Sequence, residues 1–249
     1  MTDADPSGEP TGDPATGAGG SQGSFFDGLT EDDLRAVFDG ADYVADDDLV
    51  TTVYLSLKMG KPLLIEGEPG SGKTELGKVL AEGFDTELVR LQCYEGLAAE
   101  HTLYEWNYTK QLLAVQSGEG GVEAGDSVFS EEYLFERPLL RVLTHEGETP
   151  PVLLIDEVDR ADEEFEAFLL EVLSDFQATI PEYGTVAADR RPVVVITSNR
   201  TRGLSDALKR RCLYLHVEPP TFEAELEIVR RKVPGLDAAV AAEVCGIVQ

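Results

Sequence analysis

Long apolar runs are missing from this 249-residue chain. Nothing approaches the roughly 18 consecutive apolar residues a membrane-spanning helix needs, so no membrane span is expected. No basic segment followed by an apolar stretch opens the chain, so no secretory leader is expected either. Cysteine is scarce: Cys93, Cys212 and Cys245 lie far apart with no CxxC pair. That excludes a disulfide scaffold or thiolate zinc site as the first expectation and favours a reducing, cytoplasmic setting. His101, His145 and His216 show no HxxxH or HExxH spacing, so neither a histidine metal site nor a Ser-His-Asp hydrolase is expected. Positive charge is also in short supply: 20 Lys and Arg face 48 Asp and Glu, for a formal net charge of -28. Such a surface repels the phosphates of nucleic acid and anionic lipid, so neither is expected as a partner. Only seven of the 20 bases are Lys. The balance points to a salt-adapted, halophilic cytoplasm, with an ordinary acidic protein as the plainer alternative. In a wholly acidic proteome the charge would lose force as evidence against nucleic acid.

What is present is enough apolar matter, 42% of residues, to build a core. Residues 1–24 are rich in Gly, Pro, Ser, Thr, Ala and Asp and read as a disordered tail. Helical periodicity begins at Thr30, a candidate N-cap, and a second helix is expected from Asp48 to Met59, stopping at Gly60. Short apolar strands are expected at 62–66, 87–92, 151–155, 192–197 and 213–217. A helix opening at Asp162 carries an apolar stripe of Phe165, Phe168, Leu169, Val172, Leu173 and Phe176. A hairpin is expected over Pro181 to Arg191. Strands alternating with helices predict an α/β fold with a parallel sheet sandwiched by helices. The expected divisions are a tail over 1–28, an α/β core over 29–218, and the beginning of a helical unit over 219–249.

Gly67-Glu68-Pro69-Gly70-Ser71-Gly72-Lys73-Thr74 fits GxxxxGK[ST] between an expected strand and a helix that begins near Glu75. Glycines let backbone N–H groups converge on phosphates, the helix N-terminus adds partial positive charge, Lys73 meets the β- and γ-phosphates, and Thr74 offers a hydroxyl to Mg²⁺. Residues Gly67 through Glu75 are the candidate nucleotide-binding set. Asp156 and Glu157 end the apolar strand Leu153-Leu154-Ile155, where open α/β sheets bind ligands. Asp156 is the candidate second holder of Mg²⁺ and Glu157 the candidate general base. Asp159 and Arg160 read first as a helix-entry cap with a surface ion pair. Asn199, at a polar strand tip, either orients the lytic water or caps a turn. Lys209-Arg210-Arg211 is the one dense basic cluster, with Arg200 and Arg202 just before it. It suits either a guanidinium delivered to a neighbour's γ-phosphate or a solvated helix end.

These elements in this order resemble an AAA+ P-loop ATPase, and within that class the MoxR family, especially its CoxD-like branch. The resemblance covers residues 30–220, including Leu91 to Gly96, Leu103 to Tyr108, Ile155 to Arg160, Thr197 to Arg202 and Asp206 to Cys212. It implies that Asn199 is the sensor-1 residue, that Arg211 is the trans arginine finger with Arg210 second, and that Gln92 gates the general base. It also implies ATP and Mg²⁺ as substrate and cofactor, and a homo-oligomeric ring, usually a hexamer. The implied work is maturation of a client protein, such as a molybdenum-containing CO dehydrogenase-type enzyme, alongside a von Willebrand factor A-domain partner. A nucleotide-dependent switch with little turnover and a nucleic-acid motor are the alternatives. Tyr94, Tyr104, Trp106 and Tyr108 fall where the family has an insert and suit packing or client contact. The family's helical lid and its sensor-2 arginine are expected to be incomplete, since only Pro219 to Gln249 follow; Arg230 and Arg231 stand too early for that role.

Overall fold

The computed structural model describes residues 25–117 and 129–248. The tail expected over residues 1–24 lies outside them. Five strands, β1 (Leu63–Gly67), β2 (Leu88–Gln92), β5 (Val152–Asp156), β8 (Val193–Ser198) and β9 (Leu213–Val217), form one parallel sheet in the order β2-β5-β8-β1-β9. The central strands are buried throughout because both faces are covered, and they are apolar except at their carboxyl ends. Successive side chains leave a strand on opposite faces, so Val152 and Leu154 serve one layer while Leu153 and Ile155 serve the other.

The first layer is built by α1 (Glu31–Gly40), α2 (Asp47–Met59) and α3 (Lys73–Gly83), whose Leu34, Phe38, Val53, Leu76 and Leu80 are buried. Thr30 caps α1 in a reciprocal box with Asp33, and Asp46 caps α2 through the Leu49 amide. Gly60 ends α2 with a left-handed backbone at φ 58°. The opposite layer is built by α6 (Pro138–Leu143), α7 (Glu163–Asp175) and α8 (Asp206–Arg211). Asp162 caps α7 through the Phe165 amide. The helix ends one residue short of the sequence expectation: Phe176 is buried but left-handed, at φ 49° and ψ 47°, so it closes α7 instead of extending its stripe.

That ending displaces the expected hairpin. Its strands are β6 (Gln177–Ile180) and β7 (Gly184–Ala187), and Pro181 to Tyr183 form the turn. A second small hairpin, β3 (Tyr104–Trp106) with β4 (Leu134–Glu136), is flanked by α4 (Glu100–Leu103) and α5 (Tyr108–Ser117). Trp106, Leu140 and Ile180 form a small core joining the two hairpins to α6. Tyr94 and Tyr108 are exposed, whereas Trp106 is buried and partly buried Tyr104 packs against it, so these two are the packing aromatics of the region. Two helices follow the sheet, α9 (Phe222–Lys232) and α10 (Ala238–Val248). Arg231 pairs with Asp39 of α1 at 3.1 Å and Lys232 with Glu75 of α3 at 3.4 Å, tying α9 to the first layer. Among the described residues no helix is long and apolar enough to cross a membrane.

Candidate functional site

The loop between β1 and α3 lies at the carboxyl end of a central strand. Gly70 and Gly72 take φ values of 88° and 85°, a region that side-chain-bearing residues avoid. Gly67 is required for another reason: a Cβ there would collide with the Val217 carbonyl of β9. Lys73 is buried, and its ammonium donates to the carbonyls of Gly67 at 2.9 Å and Glu68 at 2.6 Å, with the Ser71 hydroxyl at 3.3 Å. Burial pushes the Lys73 ammonium below its usual range, against the opposing pull of Asp156, Asp159 and Glu157. Ser71 closes the turn through its amide and hydroxyl onto the Glu68 carbonyl, while Glu68, Pro69 and Gly70 are exposed. Glu75 points away into ion pairs with Lys78 and Lys232, which hold its carboxyl below the usual range, Lys78 foremost.

Three adjacent strand ends converge on Asp156. Its Oδ1 accepts the Thr74 hydroxyl at 3.0 Å and the Thr197 hydroxyl at 2.5 Å; its Oδ2 meets Arg90 of β2 at 2.5 Å. The Thr197 hydroxyl also accepts the Glu157 amide at 3.0 Å. This hydrogen bond steadies Glu157 in a left-handed backbone, φ 57° and ψ 48°, a conformation uncommon outside glycine and frequent at functional sites. The Glu157 side chain is partly exposed and meets Arg160 at 3.1 Å. Gln92, level with Asp156 on the neighbouring strand, accepts Arg90 at 2.6 Å.

Asp159 departs from the sequence reading. It is buried, and Arg160 pairs with Glu157 instead of with it. Its carboxylate accepts the amides of Asn199 at 3.0 Å and Thr201 at 2.8 Å, and the Thr201 hydroxyl at 2.7 Å. Burial would raise its pKa, but these hydrogen bonds from Thr201 and Asn199 together outweigh burial and lower it. Asn199 is therefore fixed by its backbone at the end of β8, partly exposed beside the acidic pair. A second anchor holds the next residue. Arg200, left-handed at φ 58°, reaches back to buried Glu66 of β1 at 3.0 Å and to the Tyr214 hydroxyl at 2.6 Å. The Tyr214 hydroxyl in turn donates to Glu66.

The basic cluster separates by partner. Arg200 belongs to Glu66, and Arg202 pairs with buried Glu166 of α7 and donates to the Ala161 carbonyl. Glu166 also accepts the Ser205 amide at 2.9 Å, setting the start of α8. Arg210 lies 3.8 Å from Asp206 one turn back, while Arg211 is exposed with no carboxylate partner among the described residues. No hydrogen bond or ion pair joins Arg210 or Arg211 to the phosphate loop or acidic pair of the same chain, among those residues. A cavity of about 100 Å³ lies among α1, the start of α2 and α9, lined by Phe38, Tyr43, Val44, Ala45, Val50 and Arg231, among others. The Tyr43 hydroxyl stands 3.9 Å from the point where a Cβ on Gly72 would lie, and burial foremost pushes its pKa up to about 12.

Sequence reasoning missed Arg90, Thr197 and Glu66 and misread Asp159. A signal existed for Arg90: strand periodicity puts it on the same face as Gln92, beside the acidic strand end.

The donors fit a nucleotide with a hard cation. A glycine-opened loop, a buried ammonium, and a hydroxyl in hydrogen-bond contact with a buried carboxylate form the set that Mg²⁺ shares with substrate phosphates.

Comparison with known proteins agrees. A crystal structure from Cytophaga hutchinsonii, described as that of a candidate ATPase, superposes with TM-score 0.58 at 20% identity, covering 87% of this chain and 62% of that one. A RuvB variant from Thermotoga maritima gives TM-score 0.51 at 20% identity, covering 82% and 57%. These share the fold. Chaperone protein ClpB 2 of Parasynechococcus marenigrum is 36% identical over 139 residues, 55% of this chain and 13% of that protein. YehL of Escherichia coli, an uncharacterized protein, is 27% identical over 190 residues, 72% of this chain and 48% of that one. Lon protease of Rickettsia conorii is 30% identical over 186 residues, 70% and 21%. The chain thus spans half or less of the length of these relatives. Residues 62–212 match the AAA domain, dynein-related subfamily, and the chain belongs to that family of AAA+ ATPases.

Proposed function

We propose that this chain hydrolyses ATP with Mg²⁺ and uses the energy, as a MoxR-type ring chaperone of the CoxD-like kind, to remodel a client protein. The observation that carries the reading is the convergence of Lys73, Thr74, Asp156, Glu157 and Asn199 at the carboxyl ends of adjacent β1, β5 and β8. Loop amides and Lys73 bind the β- and γ-phosphates, and Lys73 exchanges its carbonyl partners for phosphate oxygens. Thr74 and Asp156 would hold Mg²⁺, which supplies neutralisation of charge developing on the phosphates. The adenine ring enters the cavity of Phe38, Tyr43 and Val50. Glu157 takes a proton from the attacking water as that oxygen bonds to the γ-phosphorus and the bond to the bridging oxygen breaks. The products are ADP and phosphate. Asn199 orients the water or a γ-oxygen, and exposed Arg211 of a neighbouring copy meets the γ-phosphate, which requires an oligomeric ring, read here as a hexamer.

Similarity to a protein named as a chaperone supports the remodelling half. The net charge of -28 supports a protein client over nucleic acid and a salt-rich cytoplasm as its setting. A core over 29–218 with a lid from 219 follows the same reading, as does a von Willebrand factor A-domain partner. The test is the specific activity of a molybdenum-containing CO dehydrogenase-type enzyme produced with wild type, with Glu157→Gln, and with neither. A rise with wild type alone supports the reading; equal activity in all three overturns the client assignment.

A further inference from the structure

The carboxylate assigned to the metal already holds a cation. Arg90 Nη2 lies 2.5 Å from Asp156 Oδ2 and 2.6 Å from Gln92 Oε1, so one nitrogen bridges the two. The other carboxylate oxygen is occupied by the Thr74 and Thr197 hydroxyls. Asp156 is thus enclosed by three donors, with its side chain 4% exposed, while Arg90 is 50% exposed. The asymmetry matters. A half-exposed guanidinium is readily hydrated and can leave, whereas a buried carboxylate stripped of its cation carries a heavy desolvation cost. A divalent cation approaching Asp156, directly or through its waters, meets the positive charge of Arg90 first.

We propose that Arg90 is a positioning residue, an exchangeable counter-ion that holds Asp156 and Gln92 in the nucleotide-free chain and withdraws when the metal–nucleotide complex arrives. This rests on the nucleotide and Mg²⁺ reading above. The same nitrogen holds Gln92 Oε1, while the Gln92 NH₂ donates to the Cys93 carbonyl at 3.5 Å, so withdrawal of Arg90 releases that oxygen level with Asp156. The pairing follows from the sheet: Arg90 and Gln92 share one face of β2, and Gln92 is in register with Asp156.

The experiment is calorimetric titration of ADP with and without Mg²⁺ into wild type, Arg90→Gln and Arg90→Met. The quantity read is the factor by which Mg²⁺ tightens ADP. Removing one competing charge at ion-pair distance should raise that factor about tenfold in both variants. Affinity for ADP alone should change by less than about twofold. A factor unchanged from wild type overturns the proposal, as does weaker binding of ADP alone, which would make Arg90 a phosphate ligand. Wild type that binds ADP in neither condition overturns the nucleotide reading itself, a distinct result. A measurement without variants accompanies it: by ¹⁵N NMR, Arg90 guanidinium protons should exchange faster with solvent on adding ADP and Mg²⁺, but not ADP alone. No difference between the two additions overturns the exchange.

Discussion

The Asp159 carboxylate accepts the Asn199 backbone amide at 3.0 Å, joining two strand ends that lie 40 residues apart in sequence. With Thr201 bound to the second oxygen at 2.8 Å, one buried side chain sets the path of the chain carrying Asn199. Asp159→Asn places an amide NH₂ against backbone donors. It should cost about 1–3 kcal/mol and lower turnover while leaving ADP affinity near wild type. The folded Asp159 pKa is depressed below 3.8, so its contribution is present above that value and lost as pH falls through the lower folded value. Thermal melts should show the gap between wild type and Asp159→Asn constant above about pH 5 and narrowing below about pH 4. A gap independent of pH would remove the ionised carboxylate from the account.

Gly67→Ala tests packing at the loop's entrance. The added methyl has no room against the Val217 carbonyl, so β9 must shift from β1. Destabilisation of about 1–3 kcal/mol in denaturant melts is expected, with weaker nucleotide binding because the same shift moves the loop. Gly70, by contrast, has open space around its absent Cβ, and the cost of Gly70→Ala comes from its φ of 88° alone.

Arg210 and Arg211 should separate. Arg210 has Asp206 nearby on an exposed helix face, and such a pair contributes little. Arg211→Ala should reduce turnover about 10³-fold without weakening ADP, and mixing it with Glu157→Gln chains should restore part of the activity. Arg210→Ala should retain most of the wild-type rate. Equal losses, or no recovery on mixing, would count against a finger acting between copies.

Salt should stabilise the fold. With 48 acids against 20 bases, self-repulsion dominates until it is screened. The melting temperature should climb by more than about 5 °C between about 0.1 M and 2 M KCl. A fall would mean that exposed ion pairs such as Arg231 with Asp39 outweigh the repulsion.

Much of this molecule is legible in its sequence because local rules and global packing agree. Apolar strands ending in Gly67, Asp156 and Ser198 state both the parallel sheet and the edge where chemistry gathers. The glycine pattern of the loop matches its positive φ values, and Thr30 and Asp162 cap the helices assigned to them. What could not be read depends on contacts distant in sequence. Asp159 looks like a surface cap until Asn199 and Thr201 fold onto it from 40 and 42 residues away. Strand periodicity puts Arg90 on the face of Gln92, but its partner Asp156 comes alongside only when β5 pairs with β2. Phe176 fits the helical stripe by spacing, and only the following β6 turns it left-handed. The short β3–β4 hairpin has too few residues to show a period, so Trp106 gave no sign of whether it packs or projects.

The central claim is that Glu157 activates water for attack on ATP. Its most direct test is phosphate release in concentrated KCl with Mg²⁺, comparing wild type with Glu157→Gln, beside ATP binding measured on both. The substitution keeps size and hydrogen bonding but removes the base, so ATP should bind equally while turnover falls by about 10²–10⁴. Equal turnover in the two proteins, or binding lost together with turnover, would contradict the role assigned to Glu157.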